Sequence, residues 1–145
     1  MPYSDTVEYI QREHLEMLRL VDKIAGALAL ASKDDFAARQ KGLAELREAR
    51  EGLLGMRQHC GSEDGILESD FHHYLDMEQY GRLRAQHASI SRQVAGLLRE
   101  LAYATADTVT ELCPSGEELL EQIREHVSYE EEMLWRVEGR RLVYH

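Results

Sequence analysis

Residues 119–137 read LLEQIREHVSYEEEMLWRV. Leu119, Ile123, His126, Glu130, Met133 and Val137 recur three or four positions apart, the spacing of one face of an α-helix. A histidine and a glutamate therefore stand inside an otherwise apolar stripe. Four residues apart on a helix, His126 and Glu130 project from the same face, roughly 6 Å apart along the axis. A buried carboxylate without a partner costs several kcal/mol, so Glu130 needs one. Upstream, Ser115-x-x-Glu118 fits a capping box, and the periodicity predicts a helix over about 116–138.

The same kind of face recurs three more times toward the N-terminus. Tyr80, Leu83, His87, Ile90, Val94, Leu97 and Leu101 mark a helix over about 77–103, starting near Asp76. Leu43, Leu46, Leu53, Met56, Glu63 and Leu67 mark another over about 35–68, with His59 and Cys60 beside the seam and Asp34–Asp35 as N-cap. Within it Gly52, Gly55 and Gly61 each cost about 1 kcal/mol relative to Ala, which predicts a bend there. Val7, Ile10, His14, Met17, Val21, Ile24 and Leu28 mark the first helix, about 5–32, opened by an Asp5-x-x-Glu8 capping box. Residues 69–76 and Ala104–Pro114 read as connections, and Arg140–His145 as a tail over one end. The two prolines are Pro2 and Pro114, and no β-type alternation is present. The expected fold is all-α: a single domain over 1–145, an up-down-up-down antiparallel four-helix bundle.

Two copies of one pattern fill this frame. His14 precedes His59-x-x-x-Glu63, and His87 precedes His126-x-x-x-Glu130. Counted from the helix ends at 1.5 Å per residue, all four histidines fall roughly 13–17 Å from the same end of an antiparallel bundle. Four unrelated core histidines would have no reason to share a level. His14, His59, Glu63, His87, His126 and Glu130 are therefore the candidate metal ligands, a donor set suited to iron, zinc or manganese. Any one H-x-x-x-E is weak evidence in so acidic a chain, and His72-x-x-x-Asp76 reads as chance, with His73 exposed. Glu131 lies about 100° round the helix from Glu130. Cys60 and Cys113 read as plain buried thiols, and Tyr129 and Trp135 as packing at the bundle end.

Bulk properties narrow the function. The chain has 145 residues and a formal net charge of −10. A chain of this size buries about 68–70% of its unfolded surface, enough to fold without disulfide or metal. Its charge disfavours nucleic acid and anionic membranes, which are bound through Lys and Arg, and favours cations. Two cysteines without a C-x-x-C spacing make no disulfide scaffold. Met1–Asp5 has no signal-peptide character, and the longest apolar stretch, Ile24–Ala31, is too short for a bilayer. A cytoplasmic monomer or homodimer is expected.

The chain resembles the hemerythrin family, in its HHE cation-binding branch. The resemblance is carried by Arg12-Glu13-His14, the His59-to-Glu63 stretch, Arg84-Ala85-Gln86-His87 and, most specifically, Arg124-Glu125-His126-Val127-Ser128-Tyr129-Glu130-Glu131-Glu132. It implies two non-haem iron ions joined by an oxo or hydroxo group, with Glu63 and Glu130 bridging and His14, His59, His87 and His126 as terminal ligands. It also implies binding or sensing of oxygen or a related small diatomic. The alternatives are a redox enzyme acting on peroxide, nitric oxide or damaged iron centres, and a structural or iron-storage bundle. Two positions depart from the family. Oxygen carriers have a second histidine four residues before the third-helix one, where this chain has Leu83. They also have an aspartate five residues after the last-helix histidine, where this chain has Glu131. Water or Tyr80 would fill the position left by Leu83.

Overall fold

The computed structural model describes residues 3–71 and 75–138. Among them every regular element is helical: α1 (Tyr3–Ala31), α2 (Phe36–Glu48), α3 (Arg50–Phe71), α4 (Met77–Tyr103), a 3₁₀ turn (Val109–Leu112) and α5 (Cys113–Glu138). His72, His73 and the tail Arg140–His145 lie outside the described residues, as does the side chain of Val137.

The long second helix expected over 35–68 is two helices. Asp35 caps α2 as expected, its carboxylate accepting from the Ala38 N–H. The break falls at Ala49, not at the glycines. There the Ala49 N–H is shared between the Leu46 and Glu45 carbonyls, a tightening typical of a helix end. Gly52, Gly55 and Gly61 continue within α3. Gly42 serves a different purpose: a Cβ there would lie 2.7 Å from the Ala27 carbonyl and the Ala31 nitrogen. Glycine is what lets α2 lie directly on the backbone of α1.

Two other expected starts shift. α1 already includes Tyr3, so Asp5 sits in its first turn instead of capping it. α5 follows the 3₁₀ turn without a gap at Cys113, and the Ser115 hydroxyl donates to the Leu112 carbonyl rather than forming a capping box. Asp76 does cap α4, with Gln79 completing a reciprocal capping box. The connection before α5 is held from outside: Arg47 donates to the Ala104 carbonyl and Arg39 to the Ala106 carbonyl. Thr110 donates to the last α1 carbonyl, Ala31.

α1 packs against α2, α3 and α5, and α4 packs against α3 and α5. Going round the core, the order is α1, α3, α4, α5. The core itself is divided. One apolar cluster includes Met17, Met56, Cys60, Ile90 and Val127. A second consists of Val7, Ile10, Leu67, Leu83, Met133 and Leu134. His14, His59, Glu63, His87, His126 and Glu130 are all buried. His14, Glu63, His87 and Glu130 fall in sequence between the two clusters, and His59 and His126 each stand one residue before a member of the larger cluster, Cys60 and Val127. The polar residues thus form one layer across the molecule. No helix among the described residues is long and apolar enough to cross a membrane.

Candidate metal centre

All six residues expected from the sequence meet in this layer. His14, Glu63, His126 and Glu130 each place one donor atom within 4.8 Å of all the others. His59 Nε2 lies 2.5 Å from Glu63 Oε2, and His87 Nε2 lies 3.1 Å from Glu63 Oε1. Each histidine owes its position to the apolar residues three or four away on its own helix, which fix the face that turns inward.

The two carboxylates span the layer in the same way. Glu63 turns Oε2 to His59 and Oε1 to His87 and, at 3.9 Å, His126. Glu130 turns Oε1 to His14 at 2.8 Å and Oε2 to His126 and His87 at 3.7 and 3.9 Å. Each carboxylate therefore links one lone imidazole to the same His87–His126 pair, whose Nε2 atoms are 3.1 Å apart.

The outward faces of the imidazoles are held as well. His87 Nδ1 lies 2.7 Å from Asp64 Oδ1, and His126 Nδ1 lies 2.7 Å from the Gln86 side-chain amide oxygen, Oε1. His14 Nδ1 meets Glu131, which also accepts from Gln11 at 3.0 Å. His59 Nδ1 lies 3.5 Å from Glu13. Every partner offers an oxygen, so each Nδ1 faces an acceptor, and each Nε2 can present a lone pair to a cation once any proton it carries is displaced. The contacts close a ring: α1 holds the histidine of α3, α3 that of α4, α4 that of α5, and α5 that of α1. Glu13 and Gln86 enter the sequence reading only as parts of the family segments and Asp64 not at all, while Glu131 stands out for its angular position and as the counterpart of the family's aspartate. A signal was there, since each adjoins a ligand candidate on its own helix. A neighbour in sequence points about 100° aside, toward the next helix.

Burial and crowded charge shape the titration of the empty layer. Burial alone would lower His14, but Glu130 and Glu131 raise it to about 10. Burial likewise opposes protonation of His87, but Glu63, Glu130 and Asp64 raise it to about 9. Burial and the neighbouring His87 push His126 down to about 3. Burial and repulsion from Glu63 push Glu130 up to about 8. Burial would raise Glu63 too, yet contacts with Glu130, His59 and His87 hold it well below the ordinary value. Burial, then the charges of Glu63 and Glu130, push the Cys60 thiol up to about 12, so it stays a thiol.

His14 Nε2, His59 Nε2, Glu63 Oε2 and both Glu130 oxygens are buried and engaged in imidazole–carboxylate contacts, without a well-aligned hydrogen bond. Leaving such groups unsatisfied costs several kcal/mol each when one is charged. Ligand bonds to a cation run about 2.0–2.2 Å, so two donors on one ion sit within about 4.4 Å. The imidazole–carboxylate distances above meet that condition, and the residues present fit a metal. Asp64→Ala should then weaken metal binding by about 10–100-fold, measured by competition with a chelator. Unchanged affinity would show that the ring of outer contacts does not orient the ligands.

Helices that bury such a donor cluster define a cation-binding helical protein. The chain belongs to the hemerythrin family: the hemerythrin HHE cation-binding domain matches residues 5–136. Searches of curated proteins and of solved structures gave no match.

Proposed function

We propose that this is a non-haem di-iron protein that binds or senses oxygen or a related small diatomic inside an up-down-up-down four-helix bundle. The observation that carries the reading is the sharing of oxygens: each carboxylate reaches one lone imidazole with one oxygen and the His87–His126 pair with the other. This is the arrangement two ions need. Glu63 and Glu130 would bridge, His87 and His126 would serve one ion, and His14 and His59 the other. A reduced di-iron centre supplies electrons and an open position for a diatomic.

The chain's own residues govern what happens there. Leu83, wholly buried in the second apolar cluster with Met133 and Ile10, leaves the His87–His126 ion one nitrogen short and lines the space with hydrocarbon. Ile90, also wholly buried, closes the other side. Excluding water strengthens local electrostatics and slows loss of a reduced species. Tyr80 is turned elsewhere, its hydroxyl donating to the Leu67 carbonyl. Of the acids that could deliver a proton, Glu131 is engaged by His14 and Gln11, and Tyr129 lies under the Arg82 guanidinium at 4.0 Å. Binding is therefore favoured over turnover. The missing nitrogen at Leu83 supports a second reading, a redox enzyme for peroxide or nitric oxide.

Elemental analysis should find two irons per chain, and anaerobic reduction followed by oxygen should give a reversible visible charge-transfer band. Steady consumption of peroxide or nitric oxide would favour the enzyme instead. One zinc per chain and no response to oxygen would overturn both.

Loading should also be proton-linked. At pH 7 the empty centre carries protons on His14 and His87, raised to about 10 and 9, and largely on Glu130, raised to about 8. A metal must displace them. Binding at pH 7 should release about two to three protons per loaded centre, and affinity should climb with pH until about 10. Calorimetry in buffers of different ionisation enthalpy reads that number, and zero release would contradict the protonation pattern.

A further inference from the structure

Two cavities flank the centre. One, of about 220 Å³, lies between α1 and α3, and its lining includes Glu13, Glu16, Met17, Gly55, Met56 and His59. The other, of about 380 Å³, lies between α3 and α4 and is lined by Asp64, Met77, Tyr80, Gly81 and Arg84. We propose that the α1–α3 groove is the port by which a divalent cation reaches the centre, with Glu13 and Glu16 collecting it and His59 passing it inward. The proposal rests on the reading of the buried layer as a metal site.

The two grooves differ in charge. Glu13 and Glu16 are three residues apart, on one face of α1, and no cationic side chain lines their cavity. In the other groove Arg84 offsets Asp64. A cleft lined by one sign of charge raises the local concentration and arrival rate of counter-ions.

His59 is the second, independent feature. Its side chain is 4 % exposed; Nδ1 lies 3.5 Å from Glu13, which lines the groove, and Nε2 lies 2.5 Å from Glu63. One imidazole thus stands between the collecting carboxylates and the centre and is in reach of both. Met17 and Met56 beside it are unbranched and adaptable, so the groove can yield to a passing ion. The α3 side of the wall is bare at Gly55, where a Cβ would meet nothing within 4 Å.

That open space supplies the test. Gly55→Leu sets a branched side chain on the groove wall with its Cβ in open space, and Gly81, where a Cβ also meets nothing within 4 Å, gives the matching change in the other groove. Metal-free protein is mixed anaerobically with iron(II), separated from free iron at timed intervals, and analysed for bound iron. Glu16→Gln, which leaves the Glu13–His59 contact alone, should slow loading by about threefold or more at low salt, with a weaker salt dependence. Gly55→Leu should slow it further, slow release to a chelator by the same factor, and reach the same final iron content. Gly81→Leu should load at the unmodified rate. If the unmodified protein takes up no iron(II), the reading of the centre falls and the port with it. If it loads normally but Gly55→Leu is as fast, or Gly81→Leu is the slower of the two, the port alone is wrong.

Discussion

Glu130→Ala purified aerobically should contain little metal, whereas Glu131→Ala should keep most of it. The two residues are adjacent on α5 and differ only in where the helix turns them. Glu130 is 1 % exposed and sends its two oxygens to opposite sides of the centre. On the proposed two-ion reading its removal would take one ligand from each ion at once, and it leaves His14 without its inward partner. Glu131 touches His14 from outside, with Gln11 as its other partner. Loss of an outer contact typically costs about 10–100-fold in affinity, which a tightly held ion survives during purification. Loss of a bridge costs more than that. His126→Ala should behave like Glu130→Ala, and His72→Ala like the unmodified protein. Circular dichroism separates metal loss from unfolding, since the apolar clusters on both sides of the layer are untouched. Equal metal in Glu130→Ala and Glu131→Ala, or loss in Glu131→Ala alone, would show that the bridge belongs to the other glutamate.

Removing the metal should lower the melting temperature by about 10 °C or more. An ion present at a thousand times its dissociation constant stabilises the folded state by about 4.1 kcal/mol. In a domain of this size each kcal/mol moves the midpoint by roughly 2–4 °C or somewhat more. The metal-free layer is costly because it holds two carboxylates and four imidazoles at 6 % exposure or less, several without a well-aligned hydrogen bond. The metal-free protein should still fold, because the larger apolar cluster joins all five helices. The smaller cluster around Val7, Leu67, Leu83 and Met133 lies beyond the layer. Its amides should exchange hydrogen fastest once metal is gone. An unchanged midpoint after verified removal of metal would mean that the ion contributes nothing to the fold.

The outer partners explain why some of the centre escaped the sequence. Periodicity reports which face of a helix turns inward, because burial rewards one face and penalises the others. It identified His14, Glu63, His87, His126 and Glu130 directly, and His59 from the edge of its stripe. It is silent about contacts at a flank, where a polar residue looks the same whether it meets water or the next helix. Asp64, Gln86 and Glu13 are such flank residues. The break at Ala49 escaped for a related reason. Alanine is the best helix former, and nothing local marks it, whereas Gly52, Gly55 and Gly61, which looked weak, run on inside α3.

By itself the sequence determined the helical class, the four inward faces and the depth at which the imidazoles and carboxylates lie, since these follow from spacing along single helices. Only the tertiary structure decided that Glu131 meets His14 from outside, which carboxylate oxygen faces which imidazole, and that each helix secures the histidine of the next. Those features depend on the rotation and separation of one helix relative to another. They are set by packing across the core, which the periodicity of one segment does not encode.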